Sequence, residues 1–515
     1  MTVNSGRPAG NDARVRELSA EQRKLVEMRL RGAANTSAPV PEISPRDPEK
    51  PDEASFAQRR LWFLEQLVPR SAMYTVESLW QINGPLDTTS LAQALEHVWR
   101  RHDVLRTRFA DRAGEPRPII DPPHGFELPV TEVPAASIGE AREFARDAVA
   151  QDAARGFDLV SGPLLRAHLW RWQDECHFLQ INLHHIIVDG WSIQVLWDEL
   201  RSAYRAFSRG ETDPLPRLPI QYPDFAAWQR AWLEGPEAIP HLRYWRENLA
   251  AAPDPIPLRT DHPRPSVLSG QADEVGYVVP AEITDQLRAL GNEHGASLFM
   301  VLLTGFAAAL SRYGPGGDLV VGTPAAGRST TELERLIGFF VNSIPLRLRW
   351  DGDPTLHELL EVVRETTLEA HSHEQIPFER IVEEVAPRRE ANRNPLFQIW
   401  FDGGREVERP ELPGATVERL ETGFRNTRFD LEMRLEVRGR ELVGSLLYNT
   451  DLFEAATARR LVENYRSALA ALARRPAAGL SALPVPAPAE AELVVREWNR
   501  TGHRATPTAD LLAEF

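Results

Sequence analysis

Two adjacent histidines, His184 and His185, followed closely by Asp189 and Gly190, are the residues of this sequence best suited to chemistry. An imidazole takes or gives a proton near neutral pH, and a carboxylate beside it can orient it or hold a cation. Proton handling and metal ligation by His185 and Asp189 both fit these types. The metal reading needs a third ligand and none stands nearby, so no metal site is expected. From His177 to His185, Leu179, Ile181 and Leu183 alternate with Phe178, Gln180 and Asn182, the period of a strand with one apolar face. Neighbouring strand side chains point to opposite faces, so His185 continues the Leu183 side and His184 the Asn182 side, and the two cannot share one task. Ile193, Leu196, Leu200 and Phe207 then recur at helical spacing, with Asp189 or Ser192 available as N-cap. The histidines therefore sit where a strand turns into a helix.

The 515 residues exceed one small core, and 42% hydrophobic content fits a globular chain of two to four units. No run approaches the roughly 20 apolar residues of a membrane span, and the N-terminus has no apolar signal core, so a cytoplasmic location without membrane contact is expected. The net charge of −15 argues against a nucleic-acid partner. Cys176, the single cysteine, excludes an internal disulfide and reads as a buried bystander.

Along the chain, residues 1–53 form a leader with a candidate docking helix in LSAEQRKLVEMRLRG and a proline-bearing linker. Helical spacing begins at SFAQRRLWFLEQL and recurs in Leu91 to Phe109 and Ile138 to Ala154. A second α/β stretch follows, with helical runs at Ile283 to His294 and Leu298 to Tyr313, a buried strand around Val320 and Val321, and a further strand in IGFFVNSIPLRLR. After Leu480 a proline-alanine linker leads into VVREWNRTGHRATPTADLLAEF.

The turn matches H-H-x-x-x-D-G, a pattern that arises by chance roughly once in a thousand sequences of this composition. Six further motifs stand in order: S-x-A-Q-x-R-L-W-x-L at Ser55 to Leu64, R-H-x-x-L-R-T-x-F at Arg101 to Phe109, and Y-x-D-F-A-x-W from Tyr222 to Trp228. Then come I-G-x-F-V-N from Ile337 with Ser343 in place of threonine, a near match around Gln375, Pro377 and Phe378, and R-x-x-x-R-N-P-L from Arg389 to Leu396. Together they resemble the condensation domains of nonribosomal peptide synthetases, over about residues 54 to 480.

The resemblance implies an α/β fold of two chloramphenicol acetyltransferase-like lobes, 54–225 and 226–480, set in a V with a tunnel between them. Residues 481–515 would be a linker and the start of an adenylation domain. It implies an acyltransferase that forms an amide between a donor acyl or peptidyl thioester and an acceptor aminoacyl thioester. Both would ride on phosphopantetheine arms of carrier protein domains, with no cofactor of the chain's own and an adenylation domain downstream. His185 is the expected catalytic residue, as a base or as a group that orients the amine. His184, Asp189 and Arg328 are expected to be structural, Arg328 holding Asp189 across the lobes with Arg106 and Arg347 as lesser candidates. Gly190, Trp191 and Asn342 are expected to line the tunnel, and Arg59, Arg60, Arg100 and Arg101 to offer docking ground for acidic carriers. Retention of both histidines and Leu183 before them points away from heterocyclising and lactam-forming relatives. That leaves joining of an L-configured donor to an L-acceptor, with a fatty-acyl starter domain or an inactive recruitment module as alternatives.

Overall fold

The helices that begin at Phe56, Thr88, Ile138, Gly190, Leu298 and Leu356 each follow a Ser, Asp or Thr whose side chain accepts from an amide of the first turn. The computed structural model describes residues 42–253, 259–313, 317–385, 392–406, 411–483 and 496. The expected docking helix and the adenylation-like segment lie outside them.

In the first half, α1 (Phe56–Leu67) begins in a capping box of Ser55 and Gln58, and β1 (Thr75–Asn83) follows. Then come α2 (Thr88–Arg101), capped by Asp87, β2 (Thr107–Arg112), β3 (Glu115–Ile120) and β4 (Val130–Glu132). The helix α3 (Ile138–Ala154), β5 (Leu165–Gln173), β6 (Cys176–His184) and α4 (Gly190–Phe207) lead to α5 (Tyr222–Glu234) and α6 (Ala238–Asn248). The second half runs β7 (Ala272–Val279), α7 (Ala281–Glu293), α8 (Leu298–Leu310), β8 (Asp318–Ala325), α9 (Thr331–Glu334) and β9 (Asn342–Arg349). It closes with α10 (Leu356–Ser372), α11 (Phe378–Val385), β10 (Ile399–Glu406), β11 (Thr416–Leu420), β12 (Leu431–Arg438), β13 (Glu441–Asn449) and α12 (Ala455–Arg474).

Two sheets carry the architecture, one ordered β11-β1-β6-β5-β4 and the other β7-β13-β12-β10-β8-β9, with β2 and β3 as a separate ribbon. The strand that leads to the histidines is central in its sheet, antiparallel to both β1 and β5. It ends at His184, one residue earlier than the alternation suggests, and all nine of its residues are buried rather than those of one face. Leu179, Ile181 and Leu183 join the main core of the first half. The other face is covered by α3, whose Ala141, Ala145 and Val149 pack on Phe178 and Cys176. On that face Gln180 and Asn182 both donate to Asp152 Oδ2, at 2.9 and 2.7 Å. Burial also pushes the Cys176 thiol up, in keeping with a bystander.

The halves are less separate than the ranges 54–225 and 226–480 suggest. Strand β11 crosses back to pair with β1, and Leu333, Leu336, Ile337, Phe339 and Phe340 belong to the first half's core. Gly338 permits that insertion, since a Cβ there would lie 2.0 Å from the Tyr222 ring. Among the described residues no single helix is long and apolar enough to cross a membrane. The apolar pair α7 and α8 is bent by 108°, with α8 sunk in the second core.

Candidate active site

The corner between β6 and α4 fixes the two histidines differently. His184, fully buried, turns its ring between Tyr74 and Phe157, and its Nδ1 accepts from the Ile186 amide at 3.0 Å. An accepting Nδ1 leaves the proton on Nε2, which faces Glu65 Oε2 at 4.0 Å without a hydrogen bond. His185 lies in the single turn after the strand. Its Nδ1 stands 2.8 Å from the Val188 carbonyl, an acceptor only, so Nδ1 carries the proton and the Nε2 lone pair is left outward. The ring rests edge-on against Phe339 of the second half, with centroids 4.9 Å apart. The two rings are held by different partners, but His185 owes its direction to the turn rather than to strand pleating, since β6 ends at His184.

Burial, with the Arg428 charge adding to it, draws the His185 imidazole down to about 4, against weaker opposing effects that include Asp189. Burial draws His184 to about 3 and pushes Glu65 up to about 6. Below pH 6.5 the unfolded chain protonates imidazoles that the folded chain keeps neutral. Their contribution to stability is therefore full above about pH 6.5 and is lost as pH falls toward 4 and then 3. Glu65 acts in the opposite sense, its contribution full below about 4.5 and lost as pH rises through about 6. His184→Ala is thus expected to lose about 2–4 kcal/mol at pH 7, from the cavity and the orphaned Ile186 amide. The same variant should show a fall in stability on acidification shallower by about 1.4 kcal/mol per pH unit between pH 6 and 4.5. Urea midpoints at pH 7 and pH 5 measure both effects, and an equal deficit at the two values would remove the buried neutral imidazole.

Asp189, 3% exposed, is the N-cap of α4 and the knot between the halves. Its Oδ1 accepts from the Ser192 amide and hydroxyl at 2.8 and 2.7 Å and from Arg328 at 3.2 Å, while Oδ2 accepts from the amides of Phe340 and Val341 at 2.9 and 3.2 Å. Arg328, equally buried, also donates to Ser192 Oγ at 2.7 Å and to the carbonyls of Leu333 and Leu336, under the Phe340 ring at 4.2 Å. The lesser candidates are engaged elsewhere, Arg106 with Asp103 and Arg347 with Asp318. Every lone pair of Asp189 is thus engaged by a donor of the fold.

Gly190 opens α4 in an exposed position. Trp191 is turned to the second half, its Nε1 donating to the Glu334 carbonyl at 3.0 Å. Asn342 borders a cleft with Ser55, Phe225, Phe339 and Glu379, but its amide is committed to the neighbouring turn. It donates to the carbonyls of Glu374 and Ile376 and accepts from the Phe378 amide. Its place is therefore that of a brace for the Gln375 to Phe378 motif. Three residues at the centre have no role in the sequence reading, two of them inside its motifs. Phe339 walls His185, Tyr222 ties α5 to the Phe339 carbonyl at 2.8 Å, and the half-buried Arg428 lies over the rings of Tyr74 and Phe429 at 5.5 and 5.7 Å, with no carboxylate paired to it among the described residues. For Arg428 the sequence carries no signal beyond a basic residue just ahead of β12.

With this geometry in place, the comparisons assign the class. A sequence profile described as "Condensation domain" matches residues 51–495, and the chain belongs to that family, the acyltransferases that form amide bonds in nonribosomal peptide synthetases. The chain is 39% identical over 460 residues, 89% of its length, to a linear gramicidin synthase from Brevibacillus parabrevis. It is 40% identical over 483 residues, 92% of its length, to the phosphinothricin tripeptide synthetase PhsC of Streptomyces viridochromogenes. It spans 6% of the first relative and 44% of the second. Among solved structures it is similar to the X-domain of teicoplanin biosynthesis in complex with OxyB, with a TM-score of 0.79 and 27% identity over 87% of this chain and 99% of that one. The first condensation domain of the calcium-dependent antibiotic synthetase, at TM-score 0.71 and 23% identity over 85% of this chain and 99% of that one, shares the fold.

Proposed function

We propose that this chain forms an amide between two carrier-bound thioesters in nonribosomal peptide assembly, joining an L-configured donor to an L-aminoacyl acceptor. The observation that carries the reading is the neutral His185 imidazole, its tautomer set by Val188 and its Nε2 lone pair left free where both halves meet. The acceptor's α-amine attacks the donor carbonyl, the C–S bond breaks, and the proton shed by nitrogen ends on the departing thiolate. An imidazole drawn down to about 4 is a weak base for an ammonium of pKa about 8, an uphill transfer of about 5 kcal/mol. His185 therefore accepts a hydrogen bond from the amine and aims its lone pair, and the thiolate, with a thiol pKa of about 8.5, takes the proton. Holding two tethered reactants together supplies much of the rest.

The phosphopantetheine arms come with the substrates, on donor and acceptor carrier domains, and an adenylation domain loads the acceptor. Of the four arginines considered as docking ground, Arg101 is held by Glu199 and the Pro216 carbonyl and is the least available. Arg59 and Arg100 are paired with Glu115 and Glu96 at the surface, where such pairs are weak enough to exchange for an acidic carrier helix, and Arg60 is paired with the half-buried Glu379. A second reading, a module that only binds a partner protein, is supported by the likeness to an X-domain solved in complex with OxyB. Mixing the chain with loaded donor and acceptor carriers distinguishes them. The acceptor carrier is expected to gain the mass of the donor acyl group, and free amino acids with ATP to give nothing. An acceptor carrier that stays unmodified with every loaded pair would leave the partner-binding reading.

A further inference from the structure

On elements that do not carry the histidine corner, the second half brings together two more imidazoles and a carboxylate. His294 ends α7 as its C-cap, while His357 and Glu361 stand one turn apart on α10. One ligand atom from each lies within 4.8 Å of the other two, with the imidazole centroids 4.2 Å apart and His294 Nδ1 3.9 Å from Glu361 Oε1. His357 Nδ1 is buried without a hydrogen-bond partner, a cost that a native fold ordinarily avoids. Backbone bonds fix the frame, since the His294 amide donates to the Leu290 carbonyl at 3.1 Å and the His357 amide to the Pro476 carbonyl at 2.8 Å. All three side chains are half-buried, open enough to admit an ion and to adjust.

We propose that His294, His357 and Glu361 form a site for a divalent transition ion, zinc by preference, that bolts the end of α7 to the start of α10. Two imidazole nitrogens and one carboxylate oxygen suit zinc, cobalt or nickel and disfavour calcium and magnesium, which take oxygen ligands. Ligand atoms of a tetrahedral zinc with bonds of about 2.0–2.1 Å lie about 3.4 Å apart, so modest rotations of three half-exposed side chains close the set. Water completes the coordination. The ion replaces the missing partner of His357 Nδ1 and joins elements distant in sequence. Arg364 is the competing cation: its guanidinium lies 3.9 Å from Glu361 Oε2 and donates to the Gly295 carbonyl at 3.3 Å. It leaves Glu361 Oε1 for the metal and lowers affinity by its charge. The site lies outside the condensation machinery, and its test is independent of turnover.

Tag-free protein, stripped with a chelator and titrated with zinc chloride, should bind one ion at this site in calorimetry and melt at a higher temperature with zinc than without. His357→Ala and His294→Ala should each weaken binding at least 10-fold and abolish the shift in melting, with circular dichroism unchanged in the absence of metal. His241→Ala, at a separate histidine pair with His373, should leave both intact. Arg364→Gln should tighten binding several-fold, which incidental capture by surface histidines would not show. Cobalt in place of zinc should give visible absorption of a tetrahedral nitrogen–oxygen site that His357→Ala removes. If a histidine variant proves unfolded, Glu361→Gln supplies the same comparison. Zinc affinity equal in wild type and in the folded His294→Ala, His357→Ala or Glu361→Gln variants would overturn the proposal, as would no binding at micromolar zinc.

Discussion

His185→Ala is expected to lose at least 100-fold in the rate of amide formation on loaded carriers while remaining folded. The magnitude is set at the low end of the usual span of about 10²–10⁴ for a general acid or base, because His185 orients the amine by a hydrogen bond and does not carry its proton. Folding should survive because the lost side chain contributes one hydrogen bond, to the Val188 carbonyl, and one ring contact, to Phe339, at a site that is only half-buried. Carrier-bound reactants remain tethered in the variant, so residual product forms by proximity alone. Rates come from intact-mass measurement of the acceptor carrier and folding from the urea midpoint. A folded variant with undiminished turnover would remove His185 from the chemistry.

The second large effect belongs to Asp189. Asp189→Ala removes the cap of α4, leaves two amides of the inserted segment without an acceptor, and strands the Arg328 guanidinium in a buried place. Breaking a buried pair from one side costs about 3–5 kcal/mol, and loss of the cap adds about 1 kcal/mol. Activity should fall with stability, because Phe340 and Val341 adjoin Phe339 and hence the wall of His185. Replacing both partners, as in Asp189→Asn with Arg328→Met, should cost less than the sum of the single changes, since no lone charge remains buried. Activity lost at an unchanged melting temperature would instead make Asp189 a participant in the reaction.

The condensation fold and its central corner are legible in the sequence because they rest on local signals. Strand alternation through Leu183, helical spacing from Ile193 and a capping aspartate between them specify β6, α4 and the turn that splits the histidines. The Asp189–Arg328 pair is legible only through resemblance, because nothing local joins residues so far apart in sequence. What covers the second face of β6 is not legible from the alternation, which marks only one face as apolar: α3 packs there and supplies Asp152 to both Gln180 and Asn182. The passage of residues 333–340 into the first core escapes for the same reason, since an apolar run does not announce which of two cores it joins. Asn342 carries the opposite lesson, since a polar residue in a matched motif braces a neighbouring turn through three hydrogen bonds. Arg428 acts on His185 through charge across the fold, and charge at a distance leaves no spacing to read.

The protonation state of His185 is the most direct test of the account. Nitrogen-15 spectra of histidine-labelled protein, with His185→Ala to assign the signal, should show a neutral ring protonated at Nδ1 and bare at Nε2 at pH 7. The ring should titrate only as the pH falls toward about 4, and Arg428→Met should move that titration upward. An imidazolium at pH 7, or a neutral ring protonated at Nε2, would contradict the account.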